Sequence, residues 1–267
     1  MTSHRPNSFI ISASDHGTMI VNRNDYRKQE DGVIGVGAQI LETQSFDKRE
    51  VEFVLRILRK RHEIYGSGVM ALDCGANIGV HTIEWAKMMY GWGNVHAFEA
   101  QERLFYALAG NIAINNCSNA RATWAAVGES DGTIGVPVVN YDRPASFGSL
   151  ELRASKSNED IGQPVNYASS ATQKTPLLSL DSQNFKRVDF IKIDVEGMEL
   201  EVLNGASKIL KRSRPVMLIE QIKTDTNQLE QFLKDAGYQH YLVGLNVLAV
   251  HEADKMEIIS KNSVPNR

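Results

Sequence analysis

The chain is poor in cysteine: Cys74 and Cys117 are its two, in no metal-type spacing, and they read as reduced thiols. It has no apolar run near the roughly 20 residues that a membrane-spanning helix needs. Its opening, Met1-Thr-Ser-His-Arg-Pro-Asn7, lacks a signal-peptide core, so the protein is expected in the cytoplasm. It has no excess of positive charge: the formal net charge is -3, with no basic stripe and no Asn-Pro-Pro-Tyr type of motif. That argues against a nucleic-acid partner. There is no internal repeat. What is present is ordinary for a globular protein, with 42% hydrophobic and 23% charged residues. A length of 267 residues suffices to bury a full core, in one large domain or one domain with an N-terminal extension.

The most informative stretch is Val69-Met-Ala-Leu-Asp-Cys-Gly-Ala-Asn-Ile-Gly79. It reads as an apolar strand ending on an acid, Asp73, then a glycine turn, then a helix over Val80–Met89. In open α/β sheets ligands sit outside the carboxyl ends of the strands, near such a turn. Gly75 and Gly79 let the backbone bend and approach a ligand closely. A dinucleotide would place its pyrophosphate at this helix start, where Asp73 would repel it. The turn also lacks the middle glycine of G-x-G-x-x-G. S-adenosylmethionine, with an ammonium, a sulfonium and ribose hydroxyls, suits a nearby carboxylate. Twenty residues after Gly79, Asn94-Val-His-Ala-Phe-Glu99 ends a second strand on an acid, placed to accept hydrogen bonds from both ribose hydroxyls.

The remaining pattern alternates. Strands are expected at Thr123–Val127, Phe190–Val195 and Val216–Gln221, and helices at Arg103–Asn115, Met198–Arg212 and Asn227–Ala236. Tyr238–Gly244 and Val247–His251 have too short a link for anything but an antiparallel pair. The fold class expected is therefore α/β, a doubly wound, mostly parallel, Rossmann-like sheet with an antiparallel C-terminal hairpin. Residues 1–66 read as an N-terminal extension: strands from Phe9 to Asn22, a loop from Asp25 to Gly37, and a helix from Asp47 to Ile64. This section is expected to act as a lid or as a cover for the sheet edge. Residues 67–253 form the main domain and 254–267 a tail.

Asp189-Phe-Ile-Lys-Ile-Asp-Val-Glu-Gly197 is the second dense motif. Strand periodicity puts Asp194 and Glu196 on one face, if the strand runs that far, and lets Lys192 pair with Asp194. Glu220 ends the next strand. Asp73, Glu99, Asp194, Glu196 and Glu220 thus gather at one sheet edge. Burying that many carboxylates is costly unless each has a partner or a cationic ligand. The polar stretch from Asn140 to Lys174 is too long for a plain connector. It is expected to border the acceptor pocket and to order on ligand binding, with Phe147 and Leu150 as apolar contacts and Tyr141 and Arg143 as polar ones.

Asp73-Cys-Gly-Ala-Asn-Ile-Gly79, Phe98-Glu99, Asn111-Ile-Ala-Ile-Asn115, Leu180-Asp181, Lys192-Ile-Asp-Val-Glu-Gly-Met-Glu199 and Leu203-Asn-Gly-Ala206 together resemble the FkbM-type methyltransferases, from about Val69 to Gly244. The resemblance implies a class I fold, S-adenosylmethionine as cofactor, and O-methylation of a hydroxyl on a small molecule, sugar or natural product. It assigns Asp73, Gly75, Asn77 and Gly79 to the methionine end of the cofactor and Glu99 to its ribose; Ala76 and Ala126 are further cofactor-binding candidates. The resemblance assigns Asp194 and Glu196 to the active-site face. As the general base Asp194 is the first candidate from its place at a strand end, followed by Glu196, Glu220 and His81. Ala100-Gln101 departs from the family's usual proline followed by a polar residue. Two other readings stay open: a metal-assisted enzyme in which Asp194 and Glu220 hold Mg²⁺, and a protein that binds the cofactor without catalysis. The partner expected is a small-molecule or carbohydrate acceptor, and a homo-oligomer is allowed.

Overall fold

The structure, a computed structural model, describes residues 6–29 and 32–256. Two hairpins open it: β1 (Phe9–Ser14) with β2 (Gly17–Asn22), and β3 (Arg27–Gln29) with β4 (Gly32–Ile34). Helices α1 (Val36–Thr43) and α2 (Lys48–Tyr65) follow. Where a loop is expected from Asp25 to Gly37, the described residues include β3, β4 and the start of α1. The start of α1 is held by Asp25, whose carboxylate accepts from the Gly37 amide. A pattern this short and polar carries no periodicity to reveal it.

The main sheet runs through β5 (Val69–Cys74), β6 (Gly93–Glu99) and β7 (Ala120–Trp124) on one side of the fold. Helices α3 (Val80–Met88) and α4 (Glu102–Ile114) link them. Strand β8 (Ala126–Val127) leaves that sheet and forms a second, three-stranded one with β9 (Gly132–Pro137) and β10 (Thr172–Leu178), in the order β8-β10-β9. The strand expected at Thr123–Val127 is thus two strands in two sheets, divided at Ala125. On the other side lie β11 (Phe190–Ile193), β12 (Val216–Glu220), β13 (Tyr238–Val243) and β14 (Asn246–His251). Helices α5 (Glu199–Asn204), α6 (Ser207–Ser213) and α7 (Thr226–Asp235) connect them. The single helix expected over Met198–Arg212 is two helices. It breaks at Gly205, where a side chain would run into the Gly128 carbonyl.

The large sheet has the order β13-β14-β12-β11-β5-β6-β7. The strands from β12 to β7 are mutually parallel, and β14 is antiparallel to both neighbours. Side-chain alternation divides this sheet between two cores. Val69, Ala71, Phe190, Val216, Leu218, Leu248 and Val250 pack toward α2 and α3. Leu72, Cys74, Ile191, Ile193, Met217 and Ile219 pack against the helices after β11. Continuing the first alternation puts Asp73, Lys192, Glu220 and Asn246 on the α2–α3 face. Register sets them side by side: Asp73 opposite Lys192, and Glu220 opposite Asn246. Among the described residues no helix is long and apolar enough to cross a membrane.

Candidate active site

The eleven residues assigned to the cofactor or to catalysis from the sequence all line one cavity of about 930 Å³. The turn after β5 builds its floor. Gly75 has φ 83° and Asn77 φ 51°, both left-handed. A Cβ on Gly75 would lie 1.8 Å from the Asp194 carbonyl, so glycine is needed there for close approach as well as for backbone angle. Gly75→Ala is expected to destabilise the fold by about 2–5 kcal/mol. About 1–2 of this comes from the left-handed backbone and about 1–3 from overpacking. Urea denaturation reads it, and a variant as stable as wild type would contradict the close approach.

Asp73 is buried and accepts a 2.6 Å bond from the Thr82 hydroxyl. Glu99 accepts from the Asn77 and Gln101 amides at 2.8 Å each. Burial outweighs those amides and pushes its carboxyl up to about 7. Two of its roughly four lone-pair sites remain for hydroxyl donors from the cavity. Ala100 stands where the family usually has proline, and Gln101 next to it ties the turn by hydrogen bonds. Its side-chain amide donates to the Phe147 carbonyl at 2.8 Å, and its oxygen accepts from the Tyr141 hydroxyl at 2.9 Å. Sequence reading saw only a missing proline at this place. Ala126 lies in the buried wall of β8.

The second cluster differs from expectation in its backbone. Strand β11 stops at Ile193, so strand periodicity does not set Asp194 and Glu196. Asp194 still joins the ladder through its amide, which donates to the Cys74 carbonyl at 3.0 Å. Glu196 then turns left-handed at φ 55°. The Glu199 carboxylate accepts the Val195 and Gly197 amides and fixes this turn. The result brings carboxylate oxygens of Asp194, Glu196 and Glu220 within 4.8 Å of one another. Lys192, buried, bonds Asp194 at 2.6 Å. Burial alone would lower the Lys192 ammonium, but the charges of Asp194, Glu50 and Asp73 push it up instead. Glu196 pairs with Lys223. Burial and the neighbouring carboxylates push Glu196 and Glu220 well above the usual range. The Glu220 carboxylate has no hydrogen-bond or ion-pair partner among the described residues.

His81 stands in the wall. Its Nε2 lies 3.2 Å from Glu50 Oε1, and its Nδ1 is enclosed without a partner. Glu50 also accepts from Asn246 at 2.7 Å. Burial alone would raise Glu50, but the His81 bond and the charge of Lys192 hold it down at about 2. Glu50 and Asn246 escaped the sequence reading because neither belongs to a motif. The signal available was an acid in the first turn of α2, which also reads as an ordinary helix start.

The long segment after β9 contributes Ser146, Gly148, Ser149, Leu150 and Leu152 to the cavity lining. Phe147 is fully buried and packs on Tyr141, so both belong to the core rather than to an acceptor surface. Arg143 is exposed and outside the lining. Lys223 ties the segment down, donating to the Ser149 carbonyl at 2.9 Å and pairing with Glu159 at 3.1 Å. The reason sequence missed this clasp is that Lys223 lies in a polar turn far along the chain.

Five parallel strands, an inserted antiparallel partner at one end, and acids converging where those strands finish define a class I methyltransferase fold. The Methyltransferase FkbM domain model matches residues 73–240, and the chain belongs to that family. It is similar to Methyltransferase 1 of Beauveria bassiana (strain ARSEF 2860), 27% identical over 177 residues, which is 59% of this chain and 68% of that protein. It is similar to Methyltransferase sdnD of Sordaria araneosa, 24% identical over 233 residues, covering 76% and 88%. Among solved structures, methyltransferase FkbM from Methylobacillus flagellatus KT superposes with a TM-score of 0.49 at 16% identity, over 80% of this chain and 60% of that one. The chain is a methyltransferase enzyme.

Proposed function

We propose that the protein transfers the methyl of S-adenosylmethionine to a hydroxyl of a small molecule, sugar or natural product. One observation carries the reading: Glu99, with free lone pairs, and the Lys192-held Asp194 face the same cavity. The residues fit the cofactor. Gly75 lets the turn after β5 close against the Asp194 carbonyl, which sets both at the edge of the cavity. Asp73 and Glu99 offer carboxylates to a molecule with an ammonium and two vicinal hydroxyls, and Ala76, Asn77, Gly79 and Ala126 complete the wall. When bound, the cofactor supplies an electrophilic methyl group on a sulfonium. The chain's own share is to hold the acceptor oxygen in line and to take its proton. Asp194 suits the second of these roles, because Lys192 occupies Oδ2 and leaves Oδ1 for the cavity. Calorimetry decides the first half. Binding of S-adenosylmethionine and of its demethylated product, without NAD binding, is expected. Tight NAD binding alone would sink it.

One observation favours a second reading, the metal-assisted one. The three clustered carboxylates have oxygens close enough to share a hard cation, and Glu220 lacks a partner among the described residues. Under the metal-free reading, turnover to S-adenosylhomocysteine is expected to stay within about twofold when EDTA is added. Loss of turnover restored by Mg²⁺ would transfer the assignment to the metal.

A further inference from the structure

The cavity has a second charged zone, at its mouth, that methyl transfer alone leaves unused. Helix α2 presents Arg49, Phe53 and Arg56 as one stripe, four and three residues apart, and all three line the cavity. The other cations of this helix are mostly spoken for. Lys48 pairs with Asp15, Lys60 with Glu63, and Arg61 with Asp254. Arg49 and Arg56 have neither an ion pair nor a hydrogen bond among the described residues. Phe53 between them is half-buried, and Phe46, Leu152 and Leu245 add apolar surface to the same cavity.

Charge in the cavity is therefore sorted. Asp73, Glu99, Asp194, Glu196 and Glu220 lie at the floor, where the one lysine, Lys192, is taken by Asp194. On the wall, beside Asp47, Lys48 is paired with Asp15 and Glu50 is held by His81 and Asn246. That leaves the Arg49 and Arg56 guanidinium groups as the unpaired cations there among the described residues. A neutral acceptor would gain nothing from those arginines. An anionic one would be repelled by the floor unless cations held its charge away from it. The sorting orients such a molecule, hydroxyl inward and anion outward. Guanidinium forks match carboxylate and phosphate oxygens two at a time. We propose that the acceptor carries a carboxylate or phosphate at the end remote from its reacting hydroxyl, bound by Arg49 and Arg56, with its apolar body against Phe53. This rests on the methyl-transfer reading of the cavity.

The test compares three probes of similar shape on the full chain by saturation-transfer NMR titration: 4-hydroxycinnamate, its neutral amide, and 4-hydroxybenzyl phosphate. Titrations run at low and high salt, with and without S-adenosylhomocysteine. At least one anion is expected to bind about tenfold or more tightly than the amide, and the tighter anion identifies the group. The gap is expected to shrink with salt. In the Arg49→Ala/Arg56→Ala variant it should close to within about twofold, with S-adenosylhomocysteine affinity and melting temperature unchanged, while Arg→Lys at both sites restores part of it. Equal binding of the amide, a gap that survives in the alanine variant, or no binding by any probe overturns the proposal. Failure of S-adenosylhomocysteine to bind, with the charge gap intact, strikes the cofactor assignment instead.

Discussion

Glu99→Ala is expected to weaken S-adenosylmethionine binding by about 3 kcal/mol or more, on the order of a hundredfold. Each hydroxyl bond to a charged carboxylate contributes about 1.5–3 kcal/mol, and the cavity side of Glu99 can accept two. The effect should also depend on pH in wild type. Before ligand arrives, the Glu99 carboxyl stands at about 7, because burial favours its neutral form. Hydroxyl donors favour the ionised form, so binding must release a proton wherever the free site is protonated. Affinity is then flat above about pH 7 and falls by up to about tenfold per unit below it. Calorimetry in two buffers of different ionisation enthalpy reads both the constant and the proton. A folded Glu99→Ala protein with unchanged affinity removes Glu99 from the site. An affinity that does not vary between about pH 5.5 and 8 removes the linkage.

Asp194→Asn should act on turnover instead. Loss of a general base typically lowers the rate by about 10²–10⁴-fold. The amide keeps an oxygen for Lys192, so the buried ammonium is not stranded and the cofactor floor stays in place. Single-turnover rates with an accepted hydroxyl compound should drop by that factor, while S-adenosylhomocysteine affinity stays within about twofold. Equal losses in both would make Asp194 a binding residue. The neighbouring acids cannot readily take over. Burial, the largest cause, pushes Glu196 and Glu220 toward their protonated forms, and it persists when the charge of Asp194, the next cause for both, is removed.

The floor of this site was legible in the sequence because local rules write it. A strand that ends on Asp73, a turn that tolerates only glycine at Gly75, and an acid at Glu99 each leave a mark within a few residues. Lys192 and Asp194 were legible for the same reason, two positions apart in one motif. The walls were not. Glu50 meets His81 and Asn246 only because α2 packs across the sheet, and nothing in the first turn of a helix announces a partner 196 residues away. Phe147 looked like an acceptor contact because an apolar patch in a polar stretch reads the same way whether it faces a ligand or a core, and Tyr141 looked like a polar contact although its ring packs on Phe147. The split of β7 from β8 hid behind one apolar run. Periodicity shows that Thr123 to Val127 is extended but not which neighbour each half takes.

The wall contacts also set an order of events in the life of the molecule. Glu50 bonds Asn246, and Arg61 bonds Asp254, across separations of 196 and 193 residues. A ribosome adds about 5–20 residues per second. A nascent chain therefore carries its finished α2 for on the order of ten to forty seconds before either partner exists. Through that interval the apolar side of α2, with Val51, Val54 and Leu58, has no complete sheet to lie against. Only a chain synthesised through β14 can close the mouth, so capacity to bind an acceptor doubles as a sign that the whole sheet has been made.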